Sequence, residues 1–179
     1  MLKTENLVFI IIDIQGKLAR LMRQSDELFK RVEILTQGMR TLNVPVIWLE
    51  QVPKNLGPTI PEIAALLPDI QPIAKSSFSA CRNDEFMEAL NGLGKRQALL
   101  AGIETHICVY QTARDLTRMG YDVEVAVDAV SSRTALDKEI GLEKIRSAGA
   151  ALTTVETVFF ELLKEAGGDR FKKIAALIK

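Results

Sequence analysis

Read for its apolar positions alone, the chain alternates between two periods. Residues 7–12 (LVFIII) form an unbroken apolar run of strand length, as expected for a strand covered on both faces. Over residues 26–42 the apolar positions fall at Leu28, Val32, Leu35, Met39 and Leu42, steps of four and three that define one face of a helix. Ser25 is placed to cap that helix and Asn43 to end it. Strand-like runs recur at residues 44–49, 70–74, 98–101, 123–127 and 150–153. Helical patterns lie between them, at residues 84–93, over Val109, Ala113 and Leu116, and at residues 136–148. Thr153 and Glu156 have the spacing of a capping box for a last main helix ending near Gly167, and residues 171–179 are amphipathic. Residues 50–61 and 128–133 read as loops.

Strands alternating with helices predict a three-layer αβα sandwich around a parallel sheet. The reading is a Rossmann-like, six-stranded sheet in the order 3-2-1-4-5-6, formed by residues 1–179 as one domain. In such a sheet the carboxyl ends of all strands share one edge, where ligands bind. Asp13, Lys75 and Cys108 each follow a strand and so belong to that edge.

Composition narrows the partners. Lys plus Arg equals Asp plus Glu, 23 against 23, so no basic footprint predicts binding to nucleic acid or an anionic membrane. No apolar run approaches the roughly 20 residues of a membrane helix. The apolar N-terminal run is too short for a signal peptide. Two scattered cysteines, Cys81 and Cys108, suit a reducing, cytoplasmic setting. The expected partner is a small molecule. Phe159, Phe160, Leu162 and Leu163 nearly encircle their helix, which predicts a homo-oligomer, a dimer or tetramer.

The chemistry of the three edge residues is coherent. Cys108 falls in the first turn of a helix, where the dipole is expected to lower a thiol pKa and favour a nucleophilic thiolate. Asp13 would take the thiol proton and return it to a leaving group, with Lys75 supplying positive charge to both. The rival base is His106, the one histidine of the chain, only two residues from Cys108. Its spacing does not face it to the sulfur, so it reads as a wall or hydrogen-bonding residue. Gln15, Glu50, Gln51, Phe78 and Thr105 complete the expected substrate pocket. Cys81 reads as structural, Trp48 as core, and Asp128 as a tie for its own loop.

The motifs VFIIIDIQ, EQVPKNLGPTIPE, KSSFSA, GIETHICVYQTA and DAVSSR together resemble the isochorismatase-like cysteine hydrolase superfamily over roughly residues 5–165. The likeness is greatest to its isochorismatase-domain-containing branch of uncertain substrate. That resemblance implies an Asp-Lys-Cys triad at Asp13, Lys75 and Cys108. It also implies a cis peptide at Ile103–Glu104 and an oxyanion hole from the amides of Glu104 and Cys108. The nicotinamidase branch carries a metal site with two histidines, which a chain with one histidine does not supply, so neither metal nor cofactor is expected. Isochorismatases that cleave a vinyl ether typically lack the cysteine. Its presence here points to hydrolysis of a C–N bond in an amide or ureide through a covalent acyl-enzyme; the alternatives are a vinyl-ether hydrolase that does not use the cysteine and a non-enzymatic binding module on the same fold.

Overall fold

The computed structural model describes residues 1–179. The six strands are β1 (Leu7–Ile12), β2 (Val46–Gln51), β3 (Ile73–Lys75), β4 (Gln97–Ile103), β5 (Asp122–Ser131) and β6 (Ala151–Thr153). They form one parallel sheet in the order β3-β2-β1-β4-β5-β6, as the alternation predicts. The nine helices are α1 (Gly16–Arg20), α2 (Ser25–Thr41), α3 (Pro53–Leu56), α4 (Pro61–Ala64), α5 (Asp84–Gly92), α6 (Tyr110–Arg118), α7 (Ala135–Ser147), α8 (Val155–Leu163) and α9 (Gly168–Leu177).

The sheet divides the interior. Phe9 and Ile11 of β1 and Leu99 of β4 pack toward α2 and α8, with Leu35, Met39 and Phe159. Val8 and Ile10 of β1 and Leu100 of β4 pack toward α5, α6 and α7, with Phe86, Leu116 and Ile145. Every residue of β1 is at most 1% exposed, which is why the run reads as apolar without alternation. Burial of side chains of this kind stabilises by roughly 1.5–3 kcal/mol each. Gly38 brings α2 against Phe159: a Cβ there would lie 2.2 Å from the ring.

Several local expectations need correction. Ser25 is the first residue of α2 rather than its cap; the chain enters through Gln24, in the left-handed region at φ 53°. The cap of α8 is Thr154, not Thr153, because its side chain is the one that accepts the Thr157 N–H. The strand read at residues 70–74 is restricted to β3, whose pairing with β2 begins only at Ile73. Residues 128–131 belong to β5 and not to a loop. The register jumps from Leu100 opposite Val125 to Gly102 opposite Val130, so β5 bulges and its alternation is lost. Asp128 consequently ties down α8, accepting the Val155 N–H at 3.0 Å, rather than its own loop. Residues 50–61 contain the end of β2 together with α3, and α4 begins at Pro61.

Candidate active site

Three strand ends converge on one buried cluster. β1 stops at Ile12, and Asp13 takes a left-handed conformation at φ 54°, a region that aspartate enters more readily than most residues. Lys75 closes β3, two strands away. The strand between them ends in Gln51, the register partner of Lys75. Lys75 Nζ donates to Asp13 Oδ2 at 2.7 Å, to Gln51 Oε1 at 2.6 Å and to the Ser77 carbonyl at 3.3 Å. These three bonds use every ammonium proton. Asp13 and Lys75 are 2% and 3% exposed.

The third member arrives from β4. Gly102, at φ 124°, lies so close to β1 that a Cβ would sit 2.0 Å from the Ile12 carbonyl oxygen. The Ile103–Glu104 peptide is cis. The chain then makes a π-helical turn, Thr105–Val109, which runs directly into α6 and carries Cys108. The Glu104 carbonyl accepts from Ile107 N at 3.0 Å and Val109 N at 3.2 Å. The Glu104 N–H makes no hydrogen bond within the chain.

The thiol of Cys108 is close enough to Asp13 and Lys75 for both to act on its pKa, without a well-formed hydrogen bond to either. Its environment corrects the expectation of a depressed pKa. Burial pushes the thiol up to about 12; the Asp13 charge adds to that effect, and Lys75 opposes it. Burial also raises Asp13, against the opposing influence of Lys75. Asp13 Oδ2 is taken by Lys75, whereas Oδ1 is buried without a well-formed hydrogen bond. The resting thiol is therefore neutral, and it sits beside an Asp13 carboxyl bonded to Lys75 through Oδ2. That carboxyl retains an oxygen that can accept a proton.

The other expected site residues divide into groups. Gln51 touches the cluster directly through Lys75, and its Nε2 donates to the Ser76 carbonyl at 2.8 Å. Gln15 and Glu50 hold backbone instead. Gln15 accepts from Gln51 N at 2.6 Å and donates to the Gly57 carbonyl at 2.7 Å. Glu50 Oε1 takes the N–H and hydroxyl of Thr59. The Gln15 amide and Glu50 Oε1 thus fix the backbone around the site. Thr105 is fully buried with its hydroxyl unpartnered. Phe78 is 54% exposed, on the stretch just after Lys75. His106 Nδ1 meets Ser132 Oγ at 3.0 Å, so the ring is engaged away from the role of base.

Sequence reasoning overlooked Ser132 and Arg133 as individual residues. Both lie in the DAVSSR stretch, just beyond the last β5 residue paired with β4, Ser131 opposite Ile103. Arg133 donates from its backbone N at 3.2 Å and from Nε at 3.1 Å to the buried Glu104 carboxylate. A cleft of about 570 Å³ between α7 and the start of α8 contains none of the three clustered residues.

A parallel sheet in this order with an acid, a cation and a thiol at the carboxyl ends of three strands defines an isochorismatase-like architecture. The isochorismatase domain matches residues 8–157, and the chain belongs to that family. It is 38% identical over 176 residues to the secreted isochorismatase effector Isc1 of Phytophthora sojae, covering 96% of this chain and 84% of that protein. The YcaC gene product of Escherichia coli, described as an octameric hydrolase of unknown specificity, superposes with a TM-score of 0.93 at 28% identity, over 99% of this chain and 88% of that one. YcaC from Pseudomonas aeruginosa, solved with hexane-2,5-diol and covalent acrylamide, also gives 0.93 at 27% identity, over 98% and 90%. No helix of this chain is long and apolar enough to cross a membrane.

Proposed function

We propose that this isochorismatase-family chain is a cysteine hydrolase that cleaves a C–N bond in a small amide or ureide through an acyl-enzyme. The observation that carries the reading is the buried meeting of Cys108, Asp13 and Lys75, with a proton-accepting carboxylate oxygen beside a protonated thiol.

The substrate carbonyl oxygen docks on the N–H groups of Glu104 and Cys108. Cys108 Sγ attacks the carbonyl carbon while its proton passes to Asp13, and the negative charge moves to the carbonyl oxygen. A raised Asp13 pKa suits a base that must hold this proton briefly. Asp13 then protonates the leaving nitrogen, the C–N bond breaks, and an acyl-thioester remains. A water attacks that carbon, giving its proton to Asp13. The C–S bond breaks, the thiol is re-formed with that proton, and an acid is released. Lys75 keeps Asp13 oriented throughout, and Gln51 orients Lys75.

The covalent acrylamide on the Pseudomonas relative supports a nucleophile on this fold, since acrylamide is captured through its alkene carbon. The second reading is vinyl-ether hydrolysis with Cys108 a bystander, and the high thiol pKa favours it. Cys108→Ser decides between them. Abolished turnover of a cleaved amide establishes the covalent route, and preserved turnover of a vinyl ether establishes the other.

We further infer a cytoplasmic homo-oligomer acting on a small molecule. The octameric Escherichia coli relative and the exposure of Leu21, Leu136 and Phe160 support assembly. Sedimentation at micromolar concentration tests it, and a monomeric mass overturns it.

A further inference from the structure

The turn that presents Cys108 does not stand alone. One segment, from the end of β5 into the middle of α7, grips it at successive residues by three different kinds of contact. Glu104, the first residue after the cis peptide, has its carboxylate 7% exposed and bound twice by Arg133, through the backbone N–H and through Nε. His106, two residues on, is held by Ser132 Oγ at 3.0 Å. The backbone between them is in steric contact with Gly141 of α7. A Cβ on Gly141 would lie 2.7 Å from His106 N, 2.8 Å from His106 Cα and 2.9 Å from the Thr105 carbonyl carbon. A charge-assisted anchor, a neutral hydrogen bond and a glycine-only close approach thus all bear on residues 104–106.

The gripping segment is itself fixed. Thr134 and Asp137 cap the start of α7 reciprocally, at 2.7 and 3.0 Å. On its other side the segment binds the turn after α1: Arg23 N donates to the Ser132 carbonyl at 3.0 Å, and Ser131 Oγ donates to the Arg23 carbonyl at 2.8 Å. The segment therefore braces the nucleophile's turn against the connection that follows Asp13.

We propose that Ser132, Arg133 and Gly141 are positioning residues that hold the Glu104 amide in register for the oxyanion. None of them touches the thiol, so they act through the turn. The inference rests on the acyl-transfer reading above. Its signature is selective. Reactions that build charge on a carbonyl oxygen need the amide in place, whereas simple displacement at sulfur does not.

The test compares two reagents on the full chain, with Cys108 modification read by mass spectrometry. p-Nitrophenyl acetate acylates the thiol: an S–C bond forms, the ester C–O bond breaks, p-nitrophenolate leaves, and the thiol proton goes to Asp13. Iodoacetamide alkylates it by displacing iodide, with no oxyanion. Arg133→Ala and Gly141→Ala are expected to slow acylation about tenfold or more while alkylation stays within about twofold. Arg133→Lys, which keeps a cation on Glu104, is expected to recover most of the acylation. Arg133 has a half-exposed side chain, so its variants report even if Gly141→Ala does not fold. Unchanged acylation in both alanine variants overturns the clamp. So does an equal fall in both reactions, which signals general loosening. Wild-type Cys108 that is inert to both reagents overturns the nucleophile reading itself, and the clamp with it.

Discussion

Lys75 Nζ lies 2.7 Å from Asp13 Oδ2, and both side chains are almost completely withdrawn from water. A buried pair of this kind stabilises little against an apolar replacement, but removing one partner alone is costly. Lys75→Met is therefore expected to destabilise the chain by about 3–5 kcal/mol, and Asp13→Asn by a smaller amount. The double variant should regain much of that loss while remaining inactive. Urea denaturation of the four proteins checks the coupling; additive losses would show that the two charges do not depend on one another.

The thiol should respond in opposite directions to its two neighbours. Asp13 raises the Cys108 pKa and Lys75 lowers it. Asp13→Asn is expected to increase iodoacetamide labelling of Cys108 at neutral pH, by about tenfold for each unit by which the thiol pKa falls. The same substitution should abolish turnover. Lys75→Met should slow labelling. Rates measured between pH 6 and 11, with Cys81 as an internal reference, check the signs.

Alkaline stability follows from the same groups. Cys108 and Cys81 are raised from 9.0 to about 12 and about 11 by burial. A raised folded pKa contributes stability that is fully present below the unfolded value and is lost as pH climbs through the folded one. The chain is thus expected to lose stability progressively above pH 9. Cys108→Ala should be less sensitive across that range. Melting temperatures taken from pH 8 to 11 check it; parallel slopes in the two proteins would refute it.

Gln51 should matter more to turnover than to folding. It is the one side chain that bonds Lys75 from the intervening strand. Gln51→Met leaves an ammonium proton unsatisfied, at a cost of about 1–3 kcal/mol, and frees Lys75 to drift from Asp13. The expected result is a fall in kcat with KM nearly unchanged. A change confined to KM would move Gln51 from positioning to substrate contact.

Gly102→Ala should be among the most damaging single changes in the chain. The added methyl would meet the Ile12 carbonyl at 2.0 Å, between the two strands that deliver Asp13 and Cys108. A loss above about 4 kcal/mol, or failure to fold, is expected, and soluble yield with denaturant titration reads it.

Much of this was legible in the chain because the relevant physics is local. The LVFIII run, the three-four spacing of α2 and the apolar stretch of β4 each specify an element without help from elsewhere. The trio at Asp13, Lys75 and Cys108 followed from strand ends alone, since a parallel sheet sends all of them to one edge. What was not legible depended on distant neighbours. The bulge in β5 hides the pairing of Val130 and Ser131 with β4, so the loop at residues 132–134 could not be aligned with the Glu104 turn. The thiol pKa was misjudged because a helix dipole can be read from spacing, whereas desolvation by packed surroundings cannot. Nor does the sequence show that the Gln15 amide bonds the Gly57 carbonyl or that Glu50 Oε1 takes the N–H and hydroxyl of Thr59.

The sheet separates two interiors, and Cys108 packs into only one of them, beside Val109, Phe86 and Ile145. Substitutions among Leu35, Met39 and Phe159, on the opposite face, should therefore alter how long the molecule survives more than how fast it works. Packing changes behind α6 and α7 should instead reach the nucleophile and register in rate, so endurance and speed are adjustable from opposite sides of one sheet.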